Sequence, residues 1–202
     1  AMIVAFVAAL GVGLGLIAWG GPWLLAIGVG SIVCGFAYTG GPWPLAYLGL
    51  GDVFVFLFFG LVAVGGTYFV QAGRLTTEAL LAGIPIGLLA ANILVVNNYR
   101  DLETDAAANK LTLVVRFGRK AARVQFVTSL VIALAVPAVL LARGQRAWCL
   151  LPLANVPVAW NPTRRLYERP FPDALIALLD PPGKLLVLYV LRLVSGGGQS
   201  VK

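Results

Sequence analysis

Long apolar runs, separated by short stretches that carry Gly, Pro or charge, dominate this chain from its first residues. A helix that crosses the hydrocarbon core of a bilayer needs about 20 mainly apolar residues. Seven stretches approach or reach that length: about 2–19, 23–39, 52–70, 79–98, 122–142, 146–160 and 174–194. The sixth is short and proline-bearing. The seventh is interrupted by Asp180, Pro181, Pro182, Gly183 and Lys184, which predicts a broken or re-entrant element. Pro85 and Pro137 predict kinks, tolerable where neighbouring helices re-satisfy the backbone. Gly11, Gly13, Gly15, Gly28, Gly30 and Gly35 predict close helix contacts. The pattern contains no clear internal repeat, linker or soluble domain. It predicts an all-α, polytopic transmembrane helix bundle of about seven spans, one domain over 1–202.

Composition supports a bilayer as the solvent. The chain is 60% hydrophobic and 11% charged, with a mean hydropathy of +0.92, where a soluble domain carries roughly 25% charged residues. Apolar surface on this scale cannot be hidden in one soluble core of this length. The net charge of +7 points away from nucleic acid, because the basic residues fall mostly between apolar runs, as they do in the cytoplasmic loops of membrane proteins. Arg100, Lys110, Arg116, Arg119, Lys120, Arg123, Arg164, Arg165 and Arg169 fall on one side, and Arg74, Arg143 and Arg146 on the other. That asymmetry places the 98–123 loop in the cytoplasm, in a bacterial inner or plasma membrane. Cys34 and Cys149 lie inside apolar runs without ligand-like spacing and read as buried thiols. The absence of histidine removes imidazole ligands and His-based triads. The opening Ala-Met-Ile-Val is already apolar and carries no basic leader, so a cleaved signal peptide is not expected and a fragment of a longer protein is.

Concentrated polar chemistry occurs in one place, residues 97–123. On a helix that continues past the membrane surface, Asn97, Asp101 and Asp105 recur at four-residue spacing and stack on one face, with Asn98 beside them. Two ionised carboxylates one turn apart repel each other. A divalent cation removes the conflict, and Mg²⁺ typically shares one or two carboxylates with substrate phosphates. Lys110 and Arg116 could then meet phosphate oxygens that the metal leaves uncovered. Glu103 points away and is solvated. A D-x-x-x-D pair also decorates many solvated helix ends. The adjoining asparagines and cations favour the functional account. The basic run 116–123 equally suits a topology signal touching anionic lipid.

The run N-N-Y-R-D-L-E-T-D-A-A-A-N-K-L-T-L-V-V-R-F-G, residues 97–118, resembles the second aspartate-rich motif of the UbiA superfamily of intramembrane aromatic prenyltransferases. Tyr38-Thr39, then P-L-A-Y-L-G-L-G-D-V-F-V-F-L-F-F-G at 44–60 and G-T-Y-F-V-Q-A-G at 66–73, are most similar to the branch that prenylates 1,4-dihydroxy-2-naphthoate in menaquinone or phylloquinone synthesis. The resemblance is strong over about 38–126 and weak over 160–202. It implies nine helices around a cavity open to lipid, where two aspartate-rich motifs hold Mg²⁺ and the diphosphate of a polyprenyl donor. The donor ionises to an allylic cation, and the aromatic ring attacks it and loses its carboxylate. Carried onto this chain, the resemblance makes Asp101 and Asp105 metal ligands, and Asn97 and Asn98 part of the polar end. Lys110, Arg100 and Arg116 become diphosphate cations. Tyr38 and Tyr47 are candidate cavity residues or interfacial anchors. Asp52 is an intramembrane acid and so a functional candidate, or a helix N-cap.

One departure from the pattern matters. The first motif, N-D-x-x-D-x-x-x-D, is missing, and no Asp or Glu precedes Asp52. The expectation is a copy without its amino-terminal helices and with little or no activity alone. The denser D-G-x-x-A-R…G-x-x-x-D-x-x-x-D pattern of CDP-alcohol phosphotransferases is not found. A small transporter or assembly subunit would carry charges along several spans, and these spans have almost none.

Overall fold

The computed structural model describes residues 2–40, 44–168 and 180–197, and every regular element among them is helical. Helices suit a bilayer because they satisfy their backbone N–H and C=O groups within the segment. The elements are α1 (Met2–Gly20), α2 (Trp23–Thr39), α3 (Gly51–Val55, a π-helical stretch Phe56–Val62, then Ala63–Ala72), α4 (Thr77–Arg100), the short α5 (Leu102–Ala107), α6 (Leu113–Ala142), a 3₁₀ stretch Ala147–Asn155 leading into α7 (Val156–Glu168), and α8 (Asp180–Gly197). Gly51–Ala72, Thr77–Arg100 and Leu113–Ala142 are long and apolar enough to cross a membrane, and Ile3–Ile17, Trp23–Thr39 and Ala147–Trp160 are shorter apolar helices. The chain is a multi-pass, all-helical membrane protein.

Local chemistry sets the boundaries. Thr76 caps α4 by accepting the Ala79 N–H at 3.2 Å, and Thr112 caps α6 by accepting that of Val115 at 3.3 Å. The seventh predicted span changes character. Asp180, Pro181 and Pro182 are the first residues of α8 rather than an interruption. Proline fits a first helical turn because its missing N–H would have no intrahelical partner there. Residues 174–179 of that span, and Arg169, lie outside the described residues. The sixth span runs on as α7 to Glu168.

α4 is the centre of the bundle, flanked by α3, α6 and α8. Val95, Val96 and Tyr99 pack with Val114, Ala122, Phe126 and Leu166. One level away, Leu89 packs with Leu130, Ala133, Ala159, Leu185 and Tyr189. Glycines let the backbones of α3 and α4 meet. A Cβ on Gly60 would lie 2.8 Å from the Gly83 carbonyl oxygen, and one on Gly87 would lie 2.5 Å from that of Phe56. Gly83 and Gly87 form a G-x-x-x-G pair on α4, the spacing that lets membrane helices touch. The glycines expected in that role behave otherwise: Gly11, Gly13, Gly15, Gly28 and Gly30 have nothing within 4 Å of a built Cβ.

Helix irregularities also fall elsewhere than the prolines alone suggest. α6 breaks its helical dihedrals at Gly118, where φ is 77°. Pro137 cannot donate to the Ala133 carbonyl, and the Tyr189 hydroxyl of α8 donates to that oxygen at 2.9 Å. Arg192 of α8 hydrogen-bonds the fully buried Asn155 side chain. Cys34 and Cys149 are free and half-buried rather than sealed in a core.

Candidate functional site

The acidic turn is not the continuous helix its spacing predicts. α4 ends at Arg100, and Asp101 leaves the helical region at φ −91°, ψ 14° before α5 begins. The four-residue hydrogen bonds nevertheless persist across the break: Asp101 N–H donates to Asn97 O at 3.0 Å, and Asp105 N–H to Asp101 O at 2.7 Å. The stack therefore survives. Asn97, Asn98, Asp101 and Asp105 line one polar cavity of about 530 Å³, together with Tyr38, Tyr47, Asp52 and Lys110. Thr39, Ala46, Gly49, Gly51, Leu94, Ala108 and Thr112 complete its wall.

Each acid has a different partner. Arg100 donates to both Asp101 oxygens, Nε at 2.6 Å and Nη2 at 2.7 Å. That guanidinium holds the Asp101 carboxyl below the usual carboxylate range, against a smaller opposing effect of desolvation. Lys110 Nζ lies 3.1 Å from both oxygens of Asp105, which is buried. Asp52 is 6% exposed. Its partner is neutral: Gln125 Nε2 of α6 donates to its Oδ1 at 3.1 Å. Asp52 sits inside the first turn of α3 and makes no side-chain capping bond, so it is not the N-cap.

Two expected cations do not line this cavity. Arg100 is committed to Asp101. Arg116 sits outside because its guanidinium donates to backbone, Nε to Leu111 O and Nη2 to Leu48 O, each at 3.1 Å. It thereby ties the 44–50 loop to the segment before α6. Leu111 N–H donates to Tyr47 O at 2.9 Å in the same seam. Gly49 permits that approach: its φ is +75°, and a Cβ there would lie 2.7 Å from Leu111 O. Tyr47 is 41% exposed at the rim, and Tyr38 is half-buried. Glu103 is exposed but paired with Arg119 at 2.7 Å, which holds its carboxyl below the usual range. Arg119 and Arg123 stack on the buried Tyr99 ring at 5.4 and 5.7 Å, and none of the three lines the cavity.

Could these residues hold a metal? Among the described residues no three acids, cysteines or histidines cluster as a ready cage. The donors that do converge, two carboxylates one turn apart with two amide side chains on the same cavity, fit a hard cation such as Mg²⁺ that completes its shell with phosphate oxygens and water. They do not fit an all-protein cage.

The residue that sequence reasoning missed is Gln125. Its signal was available: an amide placed between apolar residues of a span is costly unless it faces a polar group. Its partner, 73 residues away, was not legible.

Fold and site together define a multi-pass helical membrane protein with an acid-lined pocket at one end of its central helix. Residues 1–179 match the model of the UbiA prenyltransferase family. The chain belongs to that family. It is 35% identical over 183 residues to the 1,4-dihydroxy-2-naphthoate octaprenyltransferase of Mycobacterium leprae (strain TN), covering 91% of this chain and 62% of the relative. The Mycobacterium tuberculosis (strain ATCC 25618 / H37Rv) protein of the same name is 36% identical over 174 residues, 86% of this chain and 59% of its own. The Haemophilus influenzae (strain ATCC 51907 / DSM 11121 / KW20 / Rd) protein of that name is 47% identical over 98 residues, 48% of this chain and 32% of its own. The chain thus spans at most about three fifths of the length of these relatives.

Proposed function

We propose that this chain carries the diphosphate-binding half of a Mg²⁺-dependent prenyltransferase that joins a polyprenyl diphosphate to 1,4-dihydroxy-2-naphthoate for quinone synthesis. The observation that carries the proposal is the convergence of Asp101, Asp105, Lys110, Asn97 and Asn98 on one cavity at the end of the central membrane helix. The names of the relatives supply the acceptor and donor class.

Asp101 and Asp105 are the residues that would hold Mg²⁺, which when bound supplies positive charge to the departing diphosphate. Lys110 moves from Asp105 to the diphosphate oxygens once the carboxylate is engaged elsewhere. Arg100 and Arg116 act one step back: Arg100 aims Asp101, and Arg116 pins the 44–50 loop over the pocket. An apolar hollow of about 310 Å³ between α2 and α3 shares Tyr38 with the polar cavity and is lined by Phe54, Phe58 and Phe59 among others. It suits the isoprenoid tail. The donor C–O bond breaks with its electron pair leaving on diphosphate, the ring forms the new C–C bond, and carbon dioxide leaves the substituted ring carbon. The basic 98–123 loop faces the cytoplasm, where the diphosphate donor is met.

Because no Asp or Glu precedes Asp52 in these residues, the leaving group receives one acidic turn rather than the two of the family pattern. The 202-residue chain is expected to bind donor yet turn it over slowly. Assay with Mg²⁺, donor and dihydroxynaphthoate checks this, and robust turnover refutes it. Asp101→Ala and Asp105→Ala are each expected to weaken Mg²⁺-dependent farnesyl diphosphate binding by roughly 100-fold while leaving the helical spectrum unchanged. In a parent that contains both acidic motifs, the same changes abolish turnover. Retained binding in either variant removes that acid from the metal-binding role.

A further inference from the structure

Three acids line the polar cavity, and they are not equivalent. Asp101 and Asp105 each face a cation, Arg100 and Lys110. Asp52 has no cation within salt-bridge distance among the described residues. Its partners are the amide of Gln125, on one oxygen, and its own backbone N–H. A carboxylate accepts through two oxygens and about four lone-pair sites, so Asp52 keeps accepting capacity directed at a cavity it lines. Burying such a group costs heavily unless a donor meets it.

Which ligand can be that donor? A diphosphate bound through Mg²⁺ presents only acceptor oxygens, so it offers Asp52 no hydrogen. A phenolic hydroxyl is neutral and donates. Tyr38, whose hydroxyl would lie 3.1 Å from a Cβ on Gly51, supplies an aromatic wall beside the same acid. Leu94 adds apolar contact.

We infer that Asp52, held by Gln125, binds the aromatic acceptor by accepting a hydrogen bond from its ring hydroxyl, and so fixes which end of the acceptor enters the cavity. This rests on the function proposed above. The acceptor's carboxylate is turned away from Asp52 by like charge. A hydrogen bond from hydroxyl to carboxylate also pushes electron density into the ring, which favours attack by that ring on a cation. The proton stays on the hydroxyl in the bound state, and Asp52 needs no other co-reactant.

The test uses the 202-residue chain in lipid nanodiscs with three probes: farnesyl diphosphate with Mg²⁺, 1,4-dihydroxy-2-naphthoate, and 2-naphthoate, which lacks both hydroxyls. Wild type is expected to bind the dihydroxy compound at least about tenfold tighter than 2-naphthoate, the size of one hydrogen bond to a charged group. Asp52→Leu erases that preference, Asp52→Asn reduces it, and both keep farnesyl diphosphate binding within about twofold, which also reports that the bundle is folded. Should Asp52→Leu not fold, Asp52→Asn decides. Undiminished hydroxyl preference in Asp52→Asn and in any folded Asp52→Leu overturns the inference. A wild type that binds donor through Asp101 and Asp105 but shows no hydroxyl preference removes this inference alone. A wild type that binds neither donor nor acceptor removes it together with the proposed function.

Discussion

The α1–α2 hairpin and α4 are both long apolar stretches, yet the molecule uses them in opposite ways. α2 contains no buried residue, and Ile3 and Trp23 are each 71% exposed. α4 buries Leu89, Val95, Val96 and Tyr99 almost completely and delivers Asn97, Asn98 and Asp101 to the pocket. In water the first arrangement would be costly. In lipid it is not, because acyl chains are as apolar as leucine and exposure there carries no hydrophobic penalty. What distinguishes a packed membrane helix is therefore small residues where backbones meet and polar groups that must be satisfied. α4 has small residues in Gly83 with Gly87, and a buried polar group in Asn92, whose Nδ2 donates to Phe126 O at 3.1 Å while its Oδ1 has no partner among the described residues.

That contrast can be broken with matched substitutions. Gly87→Val puts branched carbon into the Phe56 and Gly60 backbones, and is expected to destabilise the detergent-solubilised protein by about 3 kcal/mol. Gly13→Val on α1 meets empty space, and is expected to stay within about 0.5 kcal/mol. Equal effects in thermal unfolding would show that α1 packs as tightly as α4. A smaller effect is expected at the α6–α8 contact. Tyr189→Phe removes the hydroxyl that satisfies the carbonyl freed by Pro137, and should cost about 1 kcal/mol in the same measurement.

The smallest effect is expected at the wet edge of α5. Arg119 depresses the Glu103 carboxyl pKa. The stabilisation from that pair is therefore fully present above the ordinary glutamate value of about 4.3, and is lost as pH falls through the depressed folded value. Glu103→Gln should lower the unfolding midpoint at pH 7 by about 1 °C or less. The difference between the two proteins should disappear in acid, and near 1 M salt, where the Debye length is about 3 Å. A larger, salt-resistant shift would mean that α5 depends on this pair.

Much of this architecture was legible in the one-dimensional pattern. Apolar runs long enough for a bilayer mark the spans whatever they pack against, because the solvent selects them residue by residue. The spacing of Asn97, Asp101 and Asp105 likewise placed them together, since hydrogen bonds at four-residue intervals carry the stack across the break at Asp101. Tertiary structure alone decided the rest. It selected Gly60, Gly83 and Gly87 over five glycines in α1 and α2, because a glycine matters only where another backbone arrives. It gave Arg116 to the carbonyl of Leu48, 68 residues away, and Asp52 to Gln125. Charge and hydrophobicity are properties of a residue and can be read from the chain. A partner is a property of a position in space, and only the packed bundle supplies it.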